Sequence, residues 1–140
     1  MNKPPAWFTV LAAIALLWNI IGLVAVGADM SLSASDIAAL PKEQQALHAA
    51  RPNWSIAGSA LAVVAGTLGC LLLLLKKKWA LVAFALSLVG IVLQDLGLFG
   101  TSGSAQTFGP FVIGMQVMVA AIGLGLLALS QKAIRSGWLR

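Results

Sequence analysis

The chain has 140 residues, 60% of them hydrophobic and only 9% charged, with a formal net charge of +5. A soluble domain carries roughly 25% charged residues, so this composition excludes a water-soluble globule and leaves little chain for an extramembrane domain. A single cysteine, Cys70, and a single histidine, His48, exclude an intramolecular disulfide and a Cys/His metal cluster.

Four uncharged runs carry most of the length. Lys3 to Asp29 encloses 25 residues, Arg51 to Lys76 encloses 24, Lys78 to Asp95 encloses 16, and Asp95 to Lys132 encloses 36. A hydrocarbon core about 30 Å thick needs roughly 20 apolar residues as helix. The runs lack the alternation of barrel strands, so helices are the only way to satisfy their backbones in lipid. The expected fold is therefore all-α: a single transmembrane domain, residues 1–140, built as a four-helix bundle with the lipid bilayer as its first partner.

Met1–Pro5 leads into the first span, expected over about Ala6–Val26, with Trp7 and Phe8 at headgroup level. A secretory signal has an apolar region of about 7–15 residues. This run is longer and contains Trp18 and Asn19, so it is read as an uncleaved span. Residues 27–53 form the expected outer loop. Within it Ser35-Asp36 looks like a helix start, and Asp36–Leu40 a short turn or helix ended by Pro41. Pro41 opens a second stretch, Lys42–Arg51, and across the loop the spacing of Ile37, Leu40 and Leu47 puts them on one side of a helix.

The second span is expected over Trp54–Leu75. Gly58, Ala62, Gly66 and Cys70 recur every four residues and form a strip of small side chains that lets another helix approach closely. Leu71–Leu75 reads as lipid-facing. Lys76-Lys77-Lys78 is so short a turn that the second and third spans must be antiparallel neighbours. The third span is expected over Trp79–Phe99. Gly100–Pro110 reads as a loop in which Gly109-Pro110 marks a turn and helix entry, and the fourth span follows over Phe111–Ser130. Gln131–Arg140 reads as a short basic tail, with Trp138 at an interface.

The charges set an orientation. Lys3, Lys76, Lys77, Lys78, Lys132, Arg135 and Arg140 fall on one side of the zigzag, whereas Lys42 and Arg51 share the other with Asp29, Asp36 and Glu43. Basic loop residues stay cytoplasmic, so both termini are expected inside. This placement accounts for the basic pI without nucleic acid, which is not expected as a partner.

The polar residues within the spans are the candidate site. Asp95 is the one ionisable group there, with Gln94 before it, Asn19 on the first span and Gln116 on the fourth. Counted from the expected span ends, Asn19, Asp95 and Gln116 fall in one outer layer. They form either interhelical hydrogen bonds, worth about 0.6 kcal/mol each, or a small polar pocket with Asp95 as a proton or cation site. No phosphate loop, nucleophile elbow or zinc-protease motif is present, so neither an enzyme nor a cofactor is expected.

KPPAWF and ALLWNIIG within Lys3–Gly22, LPKEQQALHAARPNW at Leu40–Trp54 and LGCLLLLLKKKWAL at Leu68–Leu81 resemble a group of small four-span bacterial inner-membrane proteins often labelled sugar transporters. The resemblance covers the first three spans and weakens after Leu93. It implies an inner-membrane location and transport of a small solute. Four short spans are too few for a conventional alternating-access path, so a transporter of this size implies a homo-oligomer. The alternative is a non-transporting accessory or structural subunit of a larger membrane complex. Small multidrug transporters share only the span count, because they place their essential carboxylate in the first span, where this chain has Asn19.

Overall fold

Apolar segments satisfy their backbones internally, and the computed structural model folds them as α-helices joined by turns. It describes residues 3–42, 45, 49, 53–97 and 105–140, with the side chains of 105–112 outside that description. The helices are α1 (Ala6–Met30), α2 (Ala34–Ala38), α3 (Asn53–Leu74), α4 (Ala80–Asp95) and α5 (Ala105–Arg135). Among the described residues α1, α3 and the Ile113–Arg135 part of α5 are long and apolar enough to cross a membrane. α4 is a shorter apolar helix of 16 residues, about 24 Å at 1.5 Å per residue. The chain is thus an all-helical protein of the multi-pass membrane type.

α3 is the central element, packed against α4 most extensively and against α1 next. The α3–α4 seam is built from small residues. A Cβ on Gly90 would lie 2.5 Å from the Gly58 carbonyl oxygen and 2.6 Å from the Ala62 nitrogen, so the two backbones touch there. Toward the lysine turn, a Cβ on Gly69 would meet the Phe84 ring at 2.6 Å. Gly58, Ala62, Gly66 and Cys70 are all buried. Two hydroxyls cross the seam: Ser55 donates to the Gln94 carbonyl at 3.0 Å, and Ser87 donates to the Ala62 carbonyl at 2.7 Å. α5 packs on α4, with Gly123 facing Leu88 and Ile91.

The buried core lies toward the end that carries the lysine turn, where Phe8, Leu73, Phe84, Leu126 and Leu139 pack together. Two helices stop there by the same device. After α3, Lys77 N–H donates to Leu72 and Lys76 N–H to Leu73, with Lys76 left-handed at φ 60°. After α5, Trp138 N–H donates to Ala133 and Gly137 N–H to Ile134, with Gly137 at φ 76°. Both are paired six-to-one and five-to-two closures, which satisfy the last helical carbonyls. The two exits then clasp each other: Lys78 N–H donates to the Arg140 carbonyl at 3.0 Å and Arg140 N–H to the Lys76 carbonyl at 2.8 Å.

Several expectations change. α1 continues four residues past Val26 to Met30, and Ser31 closes it by donating its hydroxyl to the Ala28 carbonyl at 2.8 Å. α2 starts at Ala34, because the cap is Ser33: its hydroxyl accepts from Asp36 N–H while Asp36 accepts from Ser33 N–H. These contacts, the Ser33 backbone N–H first, hold the Asp36 carboxyl below its ordinary range. The capping contribution is therefore present above the unfolded carboxylate value and lost as pH falls through the lowered one. α5 begins at Ala105 and runs through Gly109-Pro110, where a break was expected. A proline removes one intrahelical bond, which membrane helices accommodate.

Leu73, expected to face lipid, is 0% exposed. It stands three residues after Cys70 and seven after Gly66, which places it on the same helical face. The expected tail is helical as far as Arg135, and Leu139 is buried beyond it. Leu47 and His48 of the outer stretch, Phe99 of the third span and 100–104 of the expected loop lie outside the described residues.

Candidate functional site

The polar residues of the spans fall into two groups. The first sits where α4 ends. The Gln94 side-chain amide donates to the Gln116 carbonyl oxygen, joining α4 to α5, while the Ser55 hydroxyl holds the Gln94 backbone carbonyl from α3. Gly58 lets this happen: its Cα is set against the Leu93 side chain and the backbone of Gly90 and Gln94. Asp95 follows, half-buried, with its Oδ1 oxygen enclosed and without a hydrogen-bond partner among the described residues.

The second group centres on Asn19. Its side-chain amide donates to the Ala15 carbonyl at 2.9 Å and to Cys70 Sγ at 3.5 Å, and its Oδ1 rests against Gly66. Ser87 borders the same point from α4. Gly66 is what admits the amide, because any side chain there would occupy the position of Asn19 Oδ1. The strip of small residues on α3 therefore serves both neighbours, α4 at Gly58 and Ala62 and α1 at Gly66 and Cys70.

Gln94 and Gln116 meet directly, but Asn19 stands apart from them. Ser87 and Gln94 are seven residues apart, roughly 10 Å along α4. The single layer expected from the sequence becomes two because α1 ends at Met30. Counted from there, Asn19 lies eleven residues, or roughly 16 Å, inside the helix end. An amide pair on one level and a lone amide on the other make neutral hydrogen bonds between helices. Only Asp95 brings a charge. Among the described residues no three His, Cys, Asp or Glu side chains come together as metal ligands, and His48 lies outside them.

A third cluster was not foreseen as a unit. At the lysine-turn end Trp138 packs edge-on against Phe8 at 5.2 Å and Trp7 at 5.7 Å between centroids. Lys132 Nζ stands 5.3 Å from the centre of the Trp7 ring. Trp7 and Trp138 read separately as interface anchors. What brings them together is the turn at Gly137, whose left-handed backbone sends Trp138 back onto α1. Glycine at a helix exit was the available signal.

Comparison with protein-family models, curated proteins and solved structures finds no match.

Proposed function

We propose that the chain is a four-span protein of the bacterial inner membrane, with both termini and the Lys76–Lys78 turn in the cytoplasm, acting as a non-transporting accessory subunit of a larger membrane complex. The observation that carries this reading is the tightness of the interior. Where α1, α3 and α4 approach, glycine backbone contact and hydrogen-bonded polar side chains fill the space, at Gly58–Gly90, Gly66–Asn19 and Ser87–Ala62. Such packing suits a part that holds its shape while neighbours dock on its outside. Val24 on α1 and Val117 on α5, 66% and 64% exposed, belong to the outward faces available to a partner. The seven basic residues gathered at one end support the orientation. The resemblance of Lys3–Leu81 to small four-span inner-membrane proteins supports the location.

One observation favours a second reading, solute transport by a homo-oligomer: the enclosed Oδ1 of Asp95, without a partner among the described residues, beside the Gln94–Gln116 pair. Such a carboxylate would take a proton or a cation as its missing partner. Flux in sealed vesicles separates the two. Vesicles holding the purified protein are expected to pass small sugars no faster than empty ones, with or without a pH gradient. In native membranes a photo-crosslinker at Val24 or Val117 should yield a discrete hetero-adduct. Sugar flux above background that vanishes in Asp95→Asn, together with self-adducts alone, would replace the accessory reading with the transport one.

A further inference from the structure

α1 and α5 touch at the lysine-turn end but part above it, leaving an apolar groove of about 420 Å³ open to the side of the molecule. Leu11, Ile14 and Trp18 line it on α1, and Ile122, Gly125 and Leu129 on α5. Each wall spans eight residues of helix, seven rises or roughly 10 Å. The floor is the next turn of the same two faces: Trp7 is four residues before Leu11, and Lys132 is three after Leu129. There the Lys132 ammonium stands over the Trp7 ring, with Lys132 exposed and Trp7 45% exposed. The groove is therefore amphiphilic along its length, apolar above and cationic at its foot.

We propose that this groove is a site for one anionic phospholipid, its acyl chain lying between α1 and α5 and its phosphate held at Lys132 beside Trp7. Charge selects this occupant over a second copy of the chain. A copy inserted in the same orientation would bring Lys3, Lys76, Lys77, Lys78, Lys132, Arg135 and Arg140 against an end already carrying the same seven charges. An anionic headgroup neutralises that end instead, and basic residues at a membrane surface favour it by about 1 kcal/mol each. Lysine snorkelling to the headgroup level beside an interfacial tryptophan is the geometry such a contact requires. The length and apolar lining of the groove suit a hydrocarbon chain, and Gly125 keeps its middle open: a Cβ there would meet nothing within 4 Å. The proposal requires only that the helices lie in a bilayer; it holds whether the protein is an accessory subunit or a transporter.

Native mass spectrometry of the purified chain, equilibrated in detergent with equal phosphatidylglycerol and phosphatidylcholine of identical chains, tests it. The protein should retain one phosphatidylglycerol about fivefold in preference to phosphatidylcholine, the ratio that ~1 kcal/mol corresponds to. Lys132→Gln should bring that ratio near one. Gly125→Leu, whose Cβ meets nothing within 4 Å and whose side chain would fill the groove, should lose the bound lipid of either kind while its melting temperature stays within a few degrees of the parent. A parent that holds both lipids equally overturns the proposal. So does a Gly125→Leu variant that still holds phosphatidylglycerol, since the lipid would then sit on the basic surface outside the groove. A dimer mass abolished by Gly125→Leu would also overturn it, in favour of a second copy. If Gly125→Leu fails to fold, a phosphatidylglycerol with a photoreactive acyl chain decides: labelling of Trp18 or Leu129 upholds the proposal, and labelling elsewhere ends it.

Discussion

Lys76 and Gly137 occupy equivalent places, the left-handed residue that closes a helix, yet only one of them is the residue type that suits the conformation. A side chain in that region costs about 1–2 kcal/mol relative to the right-handed form, and glycine is free of the cost. Gly137→Ala is expected to lower stability in detergent by about 1 kcal/mol and to loosen Trp138 from Trp7, visible as a shift in tryptophan emission. Lys76→Gly is expected to raise the melting temperature. If Gly137→Ala melts with the parent, the clasp between the two exits does not hold the end of the molecule together. The lysine at Lys76 answers to a different demand under the proposed orientation, which its charge would support at some expense in backbone strain.

At the scale of elements, the α3–α4 seam is the most extensive helix contact among the described residues, and Gly90 is its tightest point. Nothing flexible faces Gly90: the atoms a Cβ would strike are the Gly58 carbonyl and the Ala62 backbone. Gly90→Ala should therefore push the helices apart and destabilise the protein by about 1–3 kcal/mol. Gly114→Ala serves as the control, since a Cβ at Gly114 would meet nothing within 4 Å. Equal thermal melts for the two variants would remove the seam from the account. Much of this element was legible in the sequence, because Gly58, Ala62, Gly66 and Cys70 recur at a helical spacing that needs no tertiary knowledge. The reach of the strip to Leu73 was not, because an unbroken run of leucines carries no periodicity to show which one turns inward. The end of α1 was hidden for a related reason: Asp29 reads as the edge of an apolar run, but the backbone continues until Ser31 can close it.

The molecule as a whole is asymmetric along its length, with its aromatic core, its clasp and seven of its nine basic residues toward one end. Reporter fusions after Lys78 and after Arg140 should both report cytoplasm. Moving the three lysines of the turn to residues 100–109 should disturb insertion, and a periplasmic report from either fusion would reverse the orientation. The candidate site was half legible. The identities of Asn19, Gln94, Asp95 and Gln116 stand out in any apolar span, and the Gln94–Gln116 bond follows from α4 and α5 being neighbours. The depth of Asn19 depends on where α1 stops, and the α1–α5 groove depends on how two helices distant in sequence diverge. Neither is encoded in local spacing.

The closure of the interior around its polar residues has a probe already in place. Cys70 is 0% exposed, hydrogen-bonded by Asn19 midway along the α1–α3 contact, and the chain has no other thiol. A charged, membrane-impermeant thiosulfonate reagent needs water to reach it. In native membranes opened to both faces, Cys70 is expected to remain unmodified over hours and to react fully once the protein is unfolded in dodecyl sulfate. Modification of the folded protein at a rate near that of a free thiol would reveal an aqueous path past Asn19 and would contradict a closed, non-conducting bundle.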